Sequence, residues 1–234
     1  MANFNFIQMA DPQVGMFDRF SGMDPEAAEF LRKNGLNVKD APKSEGLKQD
    51  RANLTTAIEQ IKEIDPAFVV VCGDMVDTAG DENEIALIRE TLGAYGADTP
   101  VHWVPGNHDI GVNNLIPDSE STAKYRSEFG ADYYSFNHGE SKFIILNSVL
   151  LDRPQNMLDE PKTQMDFLGD TLQSRESKDS EHVVAFMHHP LFLNNAEEED
   201  VDFDWAPSPP NQPNGYWTIP LERRTPVVKL LREA

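Results

Sequence analysis

Apolar and polar residues alternate along this chain in ways that predict a series of strands and helices. Residues 4–9 alternate one by one, which is typical of a half-buried strand, and this strand is predicted to end at Ala10-Asp11. A polar loop rich in glycine, proline and charge is predicted to follow as far as about Glu45. Asp65-Pro66 then ends a helix whose apolar side chains recur on one face, namely Leu54, Ala57, Ile58, Ile61 and Ile64.

Short, uninterrupted apolar runs predict strands that are buried on both faces. Residues 67–72 and 183–187 are such runs, and both are too short for helices. A further strand is predicted at 101–104, and a hairpin is predicted with strands at 133–136 and 143–146 and its turn at 137–140. Helices are predicted at 82–92, 163–172 and 227–233. The last of these helices is predicted to have Thr225 as its N-cap and Pro226 as its first residue. Strands that alternate with helices predict an α/β sandwich, to which the hairpin adds an antiparallel element.

A long segment without periodicity, residues 194–224, precedes the last helix. It begins with an acidic run at 197–200 and continues with several prolines and three aromatic residues, Trp205, Tyr216 and Trp217. Loops of this length are usually either functional or disordered. The aromatic residues favour an ordered cap that packs on the domain, with a substrate rim as the alternative. Arg223 and Arg224 are predicted to be solvated, with binding of a substrate phosphate as the alternative.

Composition limits the compartment and the partners. A chain of 234 residues is expected to form one domain over residues 1–234, and its net charge of −20 argues against nucleic acid and anionic membranes as partners. The single cysteine, Cys72, lies in an apolar run and is predicted to be a core residue. Neither a basic and apolar leader nor an apolar stretch of membrane-spanning length is visible. We therefore expect a cytoplasmic protein, whose oligomeric state the sequence leaves open.

Four polar blocks follow predicted strands and carry groups that bind metal ions. They are Asp11-Pro12-Gln13, Gly73-Asp74-Met75-Val76-Asp77, Gly106-Asn107-His108-Asp109 and His188-His189-Pro190. Each block is weak evidence alone, because Asp-Pro-Gln commonly forms a turn and Gly-Asp commonly follows a strand. Carboxylate, amide and imidazole groups delivered from successive strand ends are, however, what a pair of divalent cations needs. Together the blocks predict a dinuclear metal site.

The chemistry of these groups suggests a separate role for each ligand. Asp74 is the natural bridge between two ions, because Gly73 leaves its backbone room to turn. Asp11 is predicted to bind the first ion, and Asn107 and His188 are predicted to bind the second. Two ions about 3.5–4 Å apart activate water and hold a phosphoryl group for in-line displacement.

The histidines divide into one with a predicted catalytic task and several with structural ones. His108 is predicted to protonate the leaving alkoxide or to stabilise the phosphoryl charge, and Asp109 is predicted to orient its ring. The others are predicted to be structural: His102 packed in a strand, His138 in the hairpin turn, His182 at a strand start and His189 in a loop hydrogen bond.

The chain resembles the calcineurin-like metallophosphoesterase superfamily, and within it the calcineurin-like phosphoesterase domain-containing protein 1 type. The resemblance rests on runs that span nearly the whole chain, at residues 10–13, 72–74, 106–111, 132–136, 146–148 and 188–192. It implies a four-layer α/β/β/α sandwich with a dimetal site at one end of its sheets. It also implies that Asp11 and Asp74 bind the first ion and that Asp74, Asn107 and His188 bind the second, the ions being divalent Mn, Fe, Zn or Mg.

The resemblance further implies a hydrolase that acts on a phosphoprotein or a small phosphoester. The expected activity is that of a phosphomonoesterase of the protein serine/threonine phosphatase type. A cyclic-nucleotide or other phosphodiesterase is the alternative within enzymes. A catalytically impaired fragment with weak metal binding is the alternative of another class.

Three positions depart from the family pattern or fit it only loosely. Gln13 stands where most members carry a metal-binding histidine, so it is expected to bind the first ion weakly or through water, although the named subfamily also carries glutamine there. The final Gly-His-x-His block is absent, because no histidine follows His189. The last helix ends where the family continues into a strand, which predicts a truncated chain that lacks its C-terminal strands. Asp77 fits the Gly-Asp-x-x-Asp pattern and is expected to be a surface turn carboxylate or, at most, to support the ligands.

Overall fold

Two three-stranded sheets, with helices against them, make up the described part of the chain. The computed structural model describes residues 4–33, 38–95, 99–111, 116–200 and 218–233. The strands are β1 (Ile7–Met9), β2 (Val69–Cys72), β3 (Val101–Val104), β4 (Tyr134–His138), β5 (Ser141–Ile145) and β6 (His182–Phe186). The helices are α1 (Met16–Phe20), α2 (Pro25–Lys33), α3 (Lys48–Ile64), α4 (Glu82–Tyr95), α5 (Ser119–Phe129), α6 (Ser148–Asp152), α7 (Glu160–Gln173), α8 (Arg175–Asp179) and α9 (Leu221–Glu233).

The first sheet is parallel, in the order β1-β2-β3. Its central strand β2 is buried along its whole length, as its uninterrupted apolar run predicts. Val69 pairs with Ile7 on one side and with Val101 on the other. All three strands therefore end at the same edge of the sheet, and the residues that follow them are brought together there.

The second sheet has the order β4-β5-β6 and mixes two orientations. β4 and β5 form the predicted antiparallel hairpin, and β6 joins β5 in parallel. The hairpin turn is shorter than predicted, because His138 pairs with Ser141 and so belongs to β4. Gly139, at φ 58°, makes this tight connection possible. β6 is only partly buried, because within the described residues it pairs with β5 alone and its first two residues are exposed.

Alternating side chains build three cores and hence four layers. One core lies between the sheets and contains Phe68, Val70, Cys72, Val104, Phe143, Ile145 and Phe186. The outer face of the first sheet packs on α3, α4 and α5 through Leu54, Ile58, Val69, Val71, Ile88, Leu92 and Tyr125. The outer face of the second sheet packs on α6, α7 and α9 through Ile144, Leu146, Leu151, Leu168 and Val227. The predicted α/β/β/α sandwich is therefore confirmed for the described residues.

Two regions differ from the prediction made from the pattern. The segment expected to be a polar loop after the first strand contains α1 and α2, whose acidic and basic residues masked their helical spacing. The last helix begins at Leu221 and not near Thr225, because the carboxylate of Asp200 accepts from the Leu221 amide and caps it there. Pro226 consequently lies inside α9. Among the described helices, none is long and apolar enough to cross a membrane.

Candidate metal centre

The predicted ligands converge where the carboxyl ends of both sheets meet. Asp11 follows β1, Asp74 follows β2 and Asn107 follows β3, while His188 follows β6 of the second sheet. The loops are tied to one another by backbone hydrogen bonds: the Asp11 amide donates to the carbonyl of Gly73 at 3.1 Å. Parallel pairing thus delivers three polar side chains to one edge, and the second sheet adds an imidazole.

The backbone at these strand ends is strained in a way seen at few other described positions. Asp11, Gln13 and Asp74 have φ angles of 53°, 35° and 51°, in the left-handed region. Among the described non-glycine residues only Asp65, at the end of α3, shares this property. Such conformations cost about 1–3 kcal/mol each and cluster at functional sites. This strain indicates that the loops after β1 and β2 place their side chains for a function, at a cost in backbone stability.

Three ligand atoms come within bonding range of a single cation. One atom each from Asp11, Asp74 and His188 lies within 4.8 Å of the other two. Asp74 is buried, His188 is half-buried and Asp11 is exposed. The Asn107 Oδ1 atom joins them, 3.2 Å from the Nε2 atom of His188. The sequence-predicted carboxylates, amide and imidazole therefore form one group.

The tautomer of His188 fits a metal ligand. Its Nδ1 donates to the carbonyl of Cys72 at 2.9 Å, so the neutral ring keeps its lone pair on Nε2. That nitrogen faces two acceptor oxygens, Oδ1 of Asn107 at 3.2 Å and Oδ1 of Asp74 at 3.4 Å. The His188 nitrogen and the two oxygens thus direct electron pairs at the same space, and a positive charge between them would be stabilised there. The donor set therefore suits a borderline divalent ion, which accepts both nitrogen and oxygen.

The electrostatics of the group are those of an anionic pocket. Burial lowers the pKa of His188, but the hydrogen bond and charge of Asp74 and the carbonyl of Cys72 outweigh burial and raise this pKa to about 9. Burial acts to raise the pKa of Asp74, yet the bonds from His188 and from the His108 amide leave that pKa lowered. Burial raises the pKa of Asp11, with the charge of His188 opposing it. The pocket thus attracts positive charge.

Two glycines permit the close approach of the loops. A Cβ atom on Gly106 would overlap the backbone nitrogen and the carboxylate of Asp74. A Cβ atom on Gly73, whose φ is 82°, would overlap the imidazole of His188. Each glycine therefore serves as the surface against which a ligand side chain lies.

His108 is held beside the ligands by a partner that differs from the predicted one. Its amide donates to Oδ1 of Asp74 at 2.9 Å. Its ring Nδ1 donates to the backbone carbonyl of Asp77 at 2.6 Å, which leaves Nε2 free for chemistry. Asp77 itself is buried and pairs with Arg19 at 3.0 Å. The reading of Asp77 as a surface turn is therefore wrong, and its alternative as a supporting residue is the one that the geometry favours.

Asp109 does not orient the His108 ring, which corrects the sequence prediction. Its carboxylate accepts from the amides of Met75 at 2.8 Å, Val76 at 3.3 Å and Gly106 at 2.8 Å. Asp109 points away from the ring because these amides, freed at the strand ends, need an acceptor in the interior. Burial raises its pKa, and the neighbouring charge of Asp74 adds to that rise. Asp109 therefore fastens the loop after β3 to the loop after β2.

Gln13 lies next to the group and is tied to it through its backbone. It is half-buried, and its amide donates to the carbonyl of Asp74 at 2.9 Å. The loop that carries Asp11 is thereby fixed to the loop that carries Asp74. Gln13 as a weak or water-mediated ligand stays a prediction.

Sequence reasoning missed Arg19 and Asp50, two charged residues near this group. Arg19 lies in α1, where no helix was predicted, so its pairing with Asp77 had no signal. Asp50 is buried in the first turn of α3, and its position had one. It stands four residues before Leu54 and eight before Ile58, and so on the same face of that helix. A carboxylate on the same helix face as apolar core residues indicates a buried charge that has a structural or functional role.

Most histidines outside the group have the predicted structural roles. His102 stacks on Phe136 at 3.6 Å between ring centroids and bonds to the hydroxyl of Tyr134 at 3.1 Å. His189 bonds through Nδ1 to Ser148 at 3.0 Å. Cys72 is a buried core thiol whose pKa burial raises to about 11, so it is no nucleophile.

Arg223 and Arg224 lie in the first turn of α9 and donate to other groups of the protein, and Arg224 holds the ends of the acidic loop. Arg224 is fully buried and donates to the carbonyls of Ala196, Glu198 and Ile219 and to the carboxylate of Asp200. Both alternatives considered for Arg224 are therefore wrong, because all three of its side-chain nitrogens donate to the described ends of the loop. Arg223 donates to the carbonyl of Asp152 at 2.9 Å. Trp205, Tyr216 and Trp217 lie outside the described residues.

Comparison with known proteins places the site in a family. The sequence model described as calcineurin-like phosphoesterase matches residues 5–212. This chain belongs to the calcineurin-like phosphoesterase family. The match covers β1 to β6 and all four blocks that supply the candidate ligands, and so confirms the resemblance inferred from them.

Relatives and a solved structure agree with this assignment. The chain is 28% identical over 209 residues to the serine/threonine-protein phosphatase CPPED1 of Rattus norvegicus, covering 86% of this chain and 61% of that protein. For CPPED1 of Homo sapiens the identity is 28% over 203 residues, covering 84% and 59%. The chain thus spans about three fifths of the length of these relatives. A crystal structure of a dimetal phosphatase from Danio rerio matches with a TM-score of 0.61 at 16% identity, covering 98% of this chain and 77% of that one. This last likeness shows the fold.

Proposed function

We propose that this chain is a metal-dependent phosphoester hydrolase. The observation that carries the proposal is the convergence of Asp11, Asp74 and His188, whose ligand atoms lie within 4.8 Å of one another at the strand ends of a calcineurin-like phosphoesterase fold. Loops in strained conformations, glycines that admit the ligands and an imidazole with its Nε2 lone pair aimed at two oxygens all support it.

Asp11 and Asp74 would hold a first divalent ion, and Asp74, Asn107 and His188 a second, with Asp74 as the bridge. Divalent Mn, Fe, Zn or Mg is compatible with this mixture of carboxylate, amide and imidazole. When bound, such a pair supplies an activated water and neutralises phosphoryl oxygens. The chain's own part is to fix the ligand positions through the bonds from His188 to Cys72 and from the His108 amide to Asp74.

His108 is proposed to act on the leaving group. Because Asp77 accepts from Nδ1, a protonated ring carries its transferable proton on Nε2. An imidazolium in this position donates to the leaving oxygen or stabilises the charge on the phosphoryl group. Asp109 acts indirectly, because it holds the backbone of the neighbouring loops.

The proposed substrate is a phosphomonoester of the kind that protein serine/threonine phosphatases hydrolyse. The names of the 28%-identical relatives support this class. The proposal is tested by hydrolysis of p-nitrophenyl phosphate and bis(p-nitrophenyl) phosphate in the presence of Mn²⁺. We expect the monoester to be turned over faster. Faster turnover of the diester would contradict the monoesterase proposal, and turnover of neither would contradict the hydrolase proposal.

Asp74→Asn provides the test of the site, and Asp65→Asn is its matched control. Both aspartates have φ angles near 50°, a conformation that asparagine also tolerates. Only Asp74 lies among the ligands, so Asp74→Asn is expected to abolish turnover and Asp65→Asn to leave it unchanged. Equal activity of the two variants would contradict the assignment of Asp74.

A further inference from the structure

A cavity of about 650 Å³ opens beside the metal centre, between the loop after β1 and helix α3. Asp11 and Gln13 form part of its wall, so the cavity begins at a proposed metal ligand. Most of the rest is apolar and includes Met9, Val14, Phe17, Phe20, Leu54 and Ala57. Cavities of this size and lining are typical of sites for small organic groups.

The apolar face of α1 lines this cavity and does not pack in the core. The sequence of α1 is Met-Phe-Asp-Arg-Phe, yet none of its residues is buried. Met16, Phe17 and Phe20 all line the cavity. Their positions one, two and five in the helix put them on one side, and Phe17 remains 36% exposed. A helix with its large side chains on a cavity wall fits a ligand that covers them.

One polar group in the wall lacks a partner. Asp50 is 6% exposed, and its Oδ1 accepts from the amide of Gly15 at 3.0 Å. Among the described residues, its Oδ2 atom is buried and has no hydrogen-bond partner. Buried carboxylate oxygens are ordinarily satisfied, so this atom fits a donor that arrives with a ligand. An N–H group suits it, because a carboxylate accepts and cannot donate.

We propose that this cavity binds a part of the substrate that lies beside the phosphoester, and that this part is an apolar, ring-sized group carrying an N–H for Asp50. The inference rests on the proposed function, since it places the phosphate at Asp11. The aromatic ring of Phe17 favours such a ring and also a nearby positive charge, whereas the ring of Phe20 already has the Arg19 guanidinium 4.6 Å from its centroid. The net charge of −20 agrees with a substrate whose organic part is neutral or cationic.

Binding of 1-naphthylmethylamine to the metal-free chain tests the cavity without any turnover. Saturation-transfer NMR measures it, with 1-naphthoate as a probe of the same ring and opposite charge. Ala57→Phe fills the cavity, and Ala52→Phe is its matched control on the exposed side of the same helix. Asp50→Asn keeps the shape and replaces the acceptor, which keeps the test decisive if Ala57→Phe does not fold.

We expect saturable binding of the amine to the wild type and to Ala52→Phe. Loss of a fitted ring or of a buried acceptor is expected to weaken binding by roughly tenfold or more in Ala57→Phe and Asp50→Asn, and 1-naphthoate is expected to bind at least roughly tenfold more weakly than the amine. No binding of the amine, equal binding to Ala57→Phe, or equal binding of 1-naphthoate would overturn the inference.

Hydrolysis of glycerol 2-phosphate with Mn²⁺ separates this inference from the function on which it rests. Glycerol 2-phosphate is a phosphomonoester without a ring, so its turnover reports on the proposed metal centre and not on the cavity. Turnover by a protein that does not bind the amine overturns the cavity inference and leaves the proposed hydrolase standing. Amine binding by a protein that hydrolyses no phosphoester overturns the proposed function and, with it, the assignment of the cavity to the substrate.

Discussion

Two partly buried histidines, His102 and His188, have pKa values shifted in opposite directions, because they lie in different environments of the sandwich. His102 lies between the sheets against the rings of Phe136 and Tyr134, and burial lowers its pKa to about 4. His188 lies at the strand ends beside Asp74, where the carboxylate overrides burial and raises the pKa to about 9. The aromatic interior excludes positive charge, whereas the metal-centre face collects it.

The difference shows that the interior contributes to the stability of the fold, whereas the strand ends reduce it. The interior satisfies itself: its aromatic side chains pack on one another, and His102 has a hydroxyl partner. The strand ends instead combine strained backbone with a buried carboxylate, that of Asp74, whose Oδ1 atom faces the Nε2 atom of His188. A bound metal ion would resolve that conflict, because it would replace a proton between groups that all donate electron pairs.

The largest expected effect comes from Gly106→Ala, which removes the surface that Asp74 lies against. A Cβ atom there would displace the carboxylate, so we expect kcat/KM to fall by about 10³-fold, or about 4 kcal/mol of transition-state stabilisation. Gly169→Ala in α7 is the matched control, because its Cβ would meet no atom within 4 Å. Full activity of Gly106→Ala in steady-state kinetics would show that the close contact is unimportant.

The converse change, Phe143→Ala, attacks the interior and should leave the metal centre intact. Phe143 is 1% exposed and contacts several other rings, so its truncation is expected to cost about 3–5 kcal/mol of unfolding free energy. Urea denaturation measures this cost, and Mn²⁺ titration of the folded protein should give an unchanged affinity. A large loss of Mn²⁺ affinity would mean that the two regions are coupled.

The pH dependence of stability sharpens the comparison at His102. The fold depresses its pKa from 6.5 to about 4, so between these values the unfolded chain binds a proton that the folded chain does not. Stability present above pH 6.5 is therefore lost as the pH falls towards 4, by about 2–3 kcal/mol after allowance for partial exposure.

Urea denaturation at several pH values measures this loss. His102→Gln should flatten the dependence between pH 6.5 and 4, since glutamine does not titrate and still reaches a hydroxyl partner. His182→Gln, at an exposed strand start, is the control that should not change it. An identical slope in wild type and His102→Gln would contradict the assignment of the acid loss to this ring.

The smallest effect is expected at Arg19, which acts on the candidate metal centre only indirectly, through Asp77. Arg19 pairs with the buried Asp77, whose carbonyl holds the His108 ring, but the Arg19 side chain is 51% exposed. Exposed pairs contribute less than about 1 kcal/mol, so Arg19→Gln should lower kcat by only about threefold. Unchanged KM with a lowered kcat would fit a positioning role, whereas a fall above about 100-fold would mean that Arg19 touches the substrate.

The sequence made the strands and the ligand blocks predictable for a simple reason. Buried strands such as β2 are short apolar runs, and polar residues directly after them are confined to the sheet edge. The blocks with Asp11, Asp74, Asn107 and His188 could therefore be placed by their position after strands. The same reasoning placed the aromatic interior, because His102 lies in an apolar run beside Trp103.

What could not be predicted depends on orientation and on contacts between distant segments. Nothing in the order of residues says that Asp109 turns towards backbone amides while a carbonyl of Asp77 holds the His108 ring. Helix α1 was missed because five residues give too little periodicity, and with it the cavity beside Asp11. Arg224 was misplaced because its partners, the ends of residues 194–224, are brought together only by the fold.

Titration calorimetry with Mn²⁺ tests the central claim, that the strand ends form a metal centre, most directly. The account predicts saturable binding of two ions per chain by the wild type. It also predicts loss of one of them in His188→Gln, because His188 is proposed to bind the second ion only. Absence of Mn²⁺ binding, or identical binding by the wild type and His188→Gln, would contradict it.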